Sequence, residues 1–169
     1  MNTVANYFRN SADVIRYLVD DESIIRKMAH GIQVCHLLGG KILIGGNGGS
    51  SADAEHFAGE LTCTFRDHGR FGFAAISLTN NSSAITAWTN DFGFNTYFSR
   101  LVEALGRPGD ILFLISTGGG DTMSGASMNL VVAADVAIKN RLKVYSLVGK
   151  AGGELSCISH ECVKVSSFD

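Results

Sequence analysis

Apolar runs of strand length recur along the chain at 41–45, 73–78, 110–116, 143–148 and 162–165. Each is rich in Ile, Val, Leu or Phe and lacks clean alternation, the pattern of strands buried on both faces. Helical stretches separate them: 53–64, a longer segment 83–105 that holds two helices, and 129–140. Strands alternating with helices predict an α/β protein with a parallel sheet covered on both sides. Two further helices, 12–20 and 22–38, precede the first strand. Ile24, Ile25, Met28, Ile32 and Leu37 recur at near-helical spacing, and Asp20, Asp21, Glu22 and Ser23 suit a helix start. No strand precedes these helices, so they lie outside any βα unit, and packing between subunits is their natural use.

The segment KILIGGNGGSSADAEHFAGEL, residues 41–61, carries the chemistry. An apolar strand runs into a glycine turn, then small hydroxyl residues, then a helix bearing His56 and Glu60. Glycines admit close backbone approach to a ligand, and a helix N-terminus presents free N–H groups to an anion. His56 and Glu60 stand at i, i+4 and share a helix face. A P-loop needs Lys then Ser or Thr after its glycines, and Ser50 and Ser51 follow here without Lys. A dinucleotide site needs an acidic residue closing the second strand, but that strand ends Leu78-Thr79-Asn80-Asn81. Two readings stay open. The turn holds a small sugar or phosphate ester through its amides, Asn47 and the Ser hydroxyls, or Ser50 merely caps the helix with Asp53 at the capping-box position.

Composition narrows the class. The 169 residues fit one domain, 46% apolar and 18% charged, with a net charge of −2 that argues against a nucleic-acid surface. The N-terminal MNTVANYFRN lacks a long apolar core, so neither a signal peptide nor a membrane span is expected. Cys35, Cys63, Cys157 and Cys162 form no CxxC pair and read as reduced thiols of a cytoplasmic protein. His30, His36, His68 and His160 have no partner spacing. Arg66, Asp67, His68 and Arg70 read as a solvated loop, and Thr79–Ser83 as a turn that either caps a helix or touches sugar hydroxyls.

Three segments, GNGGSSADAEHFAGEL, WTNDFGFNTYFSRLVEALGRPGDILFLIST and KVYSLVGKAGGEL, closely resemble the bacterial phosphoheptose isomerases. These are sugar-isomerase (SIS) domain enzymes that convert sedoheptulose 7-phosphate to D-glycero-D-manno-heptose 7-phosphate for lipopolysaccharide or capsule precursors. The similarity covers about 11–167. It implies a single SIS domain over 1–169, a three-layer α/β/α fold with a five-stranded flavodoxin-like parallel sheet, and N-terminal helices used in a cytoplasmic homo-oligomer, a tetramer. Carried over residue by residue, the resemblance places Asn47, Gly48, Ser50 and Ser51 at the sugar-phosphate site and Asp91 at the substrate. It makes His56 and Glu60 ligands of one zinc ion and Glu60 also the catalytic base.

The family's phosphate motif STSGNSxNV is altered here. After ILFLIST the chain runs GGGDTMSGASMNLV, about six residues longer than the family spacing. The preferred alignment restores the motif through Ser124 and Ser127. The unshifted one uses Ser116 and Thr117 and leaves Asp121 unfavourably close to a dianion. The family also continues into a helix whose Gln and His complete the zinc site and supply the acid, whereas this sequence ends at Ser167-Phe168-Asp169.

Ketose–aldose isomerisation needs a base, oxyanion stabilisation and an acid. Glu60, partly desolvated, is the expected base, and a metal on His56 and Glu60 would polarise the carbonyl. Without the family pattern, the pair reads as a solvated i, i+4 contact. Two alternatives compete: a non-catalytic SIS scaffold resembling the replication-initiator-associating factors, and an isomerase of another phosphosugar.

Overall fold

A computed structural model describes residues 3–165 and Ser167. Met1, Asn2 and Ser166 lie outside the described residues, as do Phe168 and Asp169, where the resemblance expects a further helix to begin. Two helices lead, α1 (Thr3–Tyr17) and α2 (Glu22–Leu37), joined by a 3-10 turn over Leu18–Asp21. The βα part follows as β1 (Ile42–Gly46), α3 (Gly49–Thr62), β2 (Ala75–Ser77), α4 (Ser82–Phe92) and α5 (Tyr97–Leu105). It closes with β3 (Ile111–Ser116), α6 (Met128–Lys139), β4 (Lys143–Gly149), α7 (Gly153–Ile158) and β5 (Glu161–Val165).

All five strands pair in parallel, in the order β2-β1-β3-β4-β5. This is the flavodoxin-like doubly wound order. Successive strand residues point to opposite faces, and both faces are covered. Leu43, Leu112, Leu114 and Val144 pack with Phe98, Val102, Leu130 and Ala134 of α5 and α6. Ile42, Ile44, Ile111 and Phe113 pack with Met28 and Ile32 of α2 and Ala54 and Ala58 of α3. Burial on both sides is why the strands read as unbroken apolar runs.

One expected division is present, and two elements differ from the sequence reading. The segment 83–105 divides at Gly93, whose φ of 84° ends α4 before the short 3-10 turn Phe94–Thr96. Helix α1 starts at Thr3 instead of residue 12 and buries none of its residues, so Val4, Tyr7, Phe8 and Ile15 stay exposed. Helix α7 was not anticipated, because six residues hold too little periodicity to register.

A buried ion pair fastens the first strand to the third. Asp110, 2% exposed, accepts from the Lys41 N–H at 2.9 Å, the Lys41 ammonium at 2.5 Å and the Arg107 N–H at 2.8 Å. Cys35 is buried nearby, and burial, followed by the Asp110 charge, raises its pKa above the ordinary thiol value. Cys63 and Cys157 are exposed. A neutral, buried thiol is a poor nucleophile. Iodoacetamide on the folded protein at pH 8 is therefore expected to label Cys63 and Cys157 and spare Cys35 until denaturant is added. Mass spectrometry reads the outcome, and early labelling of Cys35 would contradict this packing.

Candidate active site

The order of strands reverses direction between β1 and β3, and ligands of doubly wound sheets bind outside the strand ends at such a point. Here the β1–α3 bend is forced to be tight. A Cβ at Gly46 would fall 2.5 Å from the Ser50 carbonyl oxygen, so only glycine fits. Gly48 adopts φ 55°, again a glycine conformation, and α3 begins at Gly49 instead of the expected residue 53. The capping reading is not observed. Gly48 occupies the N-cap, no side chain caps the helix, and Ser50 and Asp53 lie inside its first turns. The Ser50 and Ser51 N–H groups are taken by the Asn47 and Gly48 carbonyls, both at 3.0 Å. Among the described residues, the amides of Gly48 and Gly49 make no such bond and can meet an anion.

Asn47 does more than line the bend. Its side chain and that of Asn129 exchange two hydrogen bonds of 2.9 Å, and Asn129 also accepts from the Leu130 N–H at 3.0 Å. The pair ties the start of α3 to the start of α6, so two helix N-termini converge. Asn129, 2% exposed, received no role in the sequence analysis, although it closes the altered phosphate motif. Ser127 begins α6 with φ 55°, and its hydroxyl makes no capping bond.

The two alignments of that motif separate in space. Ser116 and Thr117 line a cleft of about 250 Å³ together with Ser50, Asp53, Gly149 and Lys150. The Ser116 hydroxyl accepts from the Gly119 N–H at 3.0 Å and keeps its own proton to donate. Ser124 does not line this cleft. It donates to Asp121 at 2.7 Å in a self-contained exposed turn. Asp121 also accepts from the Met123 N–H at 2.9 Å, and these bonds, that of Ser124 first, hold its carboxyl below the ordinary value. The extra residues thus form a loop whose glycine base packs on α7. Gly119 and Gly120 carbonyls accept from the Leu155 and Glu154 N–H groups at 2.8 and 3.1 Å.

Further along α3, His56 Nε2 stands 3.1 Å from Glu60 Oε1, with the two side chains 78% and 34% exposed. Asp53 and Glu60, seven residues apart, fall within about 20° around the helix axis. Glu60 does not line the cleft. It stands ten residues beyond Ser50, about 15 Å along the axis at the helical rise. Arg70, read as solvated loop, instead closes the end of this helix. Its guanidinium donates to the Glu60 and Leu61 carbonyls and lies 5.2 Å from the Phe73 ring. A cation at a helix C-terminus is favourable and here fixes the backbone that carries Glu60.

Other expected positions stand apart. Asp91 accepts from its neighbour Asn90 and lines a separate α4–α5 cleft with Trp88, Phe92 and Arg100. Asn81 accepts from the Ala84 N–H at 3.0 Å and caps α4, which is the turn-and-cap reading of that run. His160 accepts from the Val144 N–H at 3.0 Å, and His36 stacks on Phe73. No group of three or more His, Cys, Asp or Glu side chains able to hold one metal ion occurs among the described residues. Structural and catalytic zinc sites take three or four protein ligands. His56 and Glu60 alone therefore do not make a zinc site.

The SIS domain family matches residues 6–149, and the chain belongs to it. A phosphoheptose isomerase from Methylibium petroleiphilum is 37% identical over 94% of this chain and 81% of its own length. One from Neisseria meningitidis serogroup C is 48% identical over 73% of this chain. The structure of a phosphoheptose isomerase from Francisella tularensis superposes with a TM-score of 0.90 at 31% identity, covering 99% of this chain and 86% of that one. Within the SIS proteins, the chain thus belongs to the phosphoheptose isomerase family. The match spans 59% of the length of the meningococcal relative.

Proposed function

We propose that the protein is a ketose–aldose isomerase of a long-chain sugar phosphate, sedoheptulose 7-phosphate, acting through an enediol(ate) to give the aldose D-glycero-D-manno-heptose 7-phosphate. One observation carries the reading: an anion cradle and a carboxylate occupy two separated stations of one helix. A ligand that meets both must be extended, with its phosphate at the end away from the reacting carbons. Sedoheptulose 7-phosphate has that form. Its phosphate is held by the Gly48 and Gly49 amides and by the hydroxyls of Ser50, Ser51, Ser116, Thr117 and Ser127, while Glu60 moves the proton between C1 and C2. Hydrogen-bond donors converging on the developing oxyanion lower the barrier most where water is excluded. Ser124, occupied by Asp121, takes no direct part.

A divalent metal, zinc in this reading, would begin on His56 and Glu60 and polarise the carbonyl as a Lewis acid. Its further ligands would come from outside the described residues. Asp91, set in a separate cleft, would serve the site of a neighbouring subunit in a homo-oligomer, a tetramer, in which the exposed apolar residues of α1 are covered. No helix among the described residues is long and apolar enough to cross a membrane. We place the enzyme in the cytoplasm, where its free thiols stay reduced.

The test is to supply sedoheptulose 7-phosphate and zinc and follow aldose formation, with fructose 6-phosphate in parallel. Turnover of the heptulose is expected. Turnover of the hexose alone would reassign the substrate, and none with either would favour a non-catalytic scaffold.

A further inference from the structure

We propose that Lys150 supplies the positive charge against which the substrate phosphate is held, an inference that rests on the phosphosugar reading above. The glycine turn lacks the lysine that a phosphate loop ordinarily brings, and its anion grip consists of amides and hydroxyls alone. The fold brings a cation to the same place from elsewhere in the sequence. Lys150 follows β4 and lines the cleft of about 250 Å³ together with Ser50, Ser116 and Thr117, the strand order setting β3 between β1 and β4. That volume is ample for a phosphate group, and the sugar can run from it along α3 towards Glu60.

The backbone around Lys150 argues for its side chain. Lys150 adopts φ 52°, one of three non-glycine residues with positive φ among those described. This left-handed conformation is costly for a residue with a Cβ, and such residues gather where function holds them. Gly149 and Gly152 flank the same turn, so glycine is available to this loop and yet is not used at 150. The turn is fixed against the phosphate-facing strand end. A Cβ on Gly149 would stand 2.8 Å from the Thr117 carbonyl oxygen, the Gly152 N–H donates to Gly149 at 3.0 Å, and the Lys150 N–H donates to Ser167 at 3.1 Å.

Charge completes the case. Asp53 is the one carboxylate lining the cleft among the described residues and would oppose a dianion if nothing balanced it. Lys150 makes no ion pair among the described residues, so its ammonium is not already committed. Lys164 lies with Asp20 and Asp21 in a different cavity. A lysine ammonium is a flexible point charge well suited to a phosphate that arrives and leaves.

Calorimetric titration of the full chain with inorganic phosphate at low salt tests this directly. Wild type and K150R are expected to bind within a few-fold of one another. K150M and K150G should bind roughly tenfold or more weakly, as loss of a charge-assisted hydrogen bond implies. K150G also relieves the left-handed backbone, so its Tm should not fall below wild type, and its loss of phosphate affinity would then belong to the amine. S116A serves as the control for the cleft itself. Weakened binding in S116A with K150M and K150G unchanged would overturn the role of Lys150 and leave the phosphate site standing. Absence of phosphate binding in wild type would overturn the cleft as a phosphate site and Lys150 with it.

Discussion

Replacing Glu60 by Gln is expected to lower kcat for sedoheptulose 7-phosphate by about 10²–10⁴-fold while the Tm stays near that of wild type. The amide keeps the size of the carboxylate and can still accept a hydrogen bond from His56, but it cannot take a proton from carbon. Fold retention follows from geometry. The side chain is 34% exposed, and its His56 contact is an i, i+4 surface pair worth a few tenths of a kcal/mol. Because the proposed phosphate contacts stand nearly three turns away, KM should move far less than kcat. An interaction used only at the transition state has that signature. A variant that retains wild-type kcat would remove Glu60 as the base. One that raises KM alone would make it a binding group.

The largest structural effect is expected at the other end of the sheet. Asp110→Ala should destabilise the protein by about 3–5 kcal/mol, the usual cost of removing one partner of a buried pair. The substitution strands the half-buried Lys41 ammonium and leaves the Lys41 and Arg107 N–H groups without their acceptor. Both N–H groups stand where β1 and β3 begin, so the loss falls on the two strands whose far ends form the candidate site. Asp110→Asn, which preserves an acceptor for the backbone donors, should lose less. Urea unfolding followed by circular dichroism gives both values. A loss below about 1 kcal/mol in Asp110→Ala would show that the contact does not hold the strands together.

Much of this architecture could be read from the chain because doubly covered parallel strands leave a strong signature. Five apolar runs separated by helical segments fix the class, and the observed strands overlap all five. What the sequence hid is geometric. Asn129 pairs with Asn47 across 82 positions, and no local pattern announces a partner so distant. Arg70 sits among charged loop residues, and only folding reveals that its guanidinium meets the carbonyls ending α3. Lys150 was visible solely as part of a motif shared with relatives. Its place in the cleft depends on the register of β3 against β4, which sets Ser116 beside Val148.

The phosphate loop shows the limit most clearly. The charge of Asp121 favours the shifted alignment only if its carboxylate faces the ligand. In the fold Asp121 turns to Ser124 and Met123 instead, which removes the objection to Ser116 and Thr117. Helix α3 carries a similar lesson. The spacing of His56 and Glu60 was readable, but their distance from the glycine bend follows from where the helix begins, at Gly49.

A crystal structure with sedoheptulose 7-phosphate bound tests the central claim most directly. The account predicts the phosphorus beside Ser116, Thr117 and the Gly48–Gly49 amides, with C1 and C2 within hydrogen-bonding reach of the Glu60 carboxylate. A phosphate bound away from that bend, or a Glu60 side chain left in solvent while the sugar carbons lie elsewhere, would contradict it.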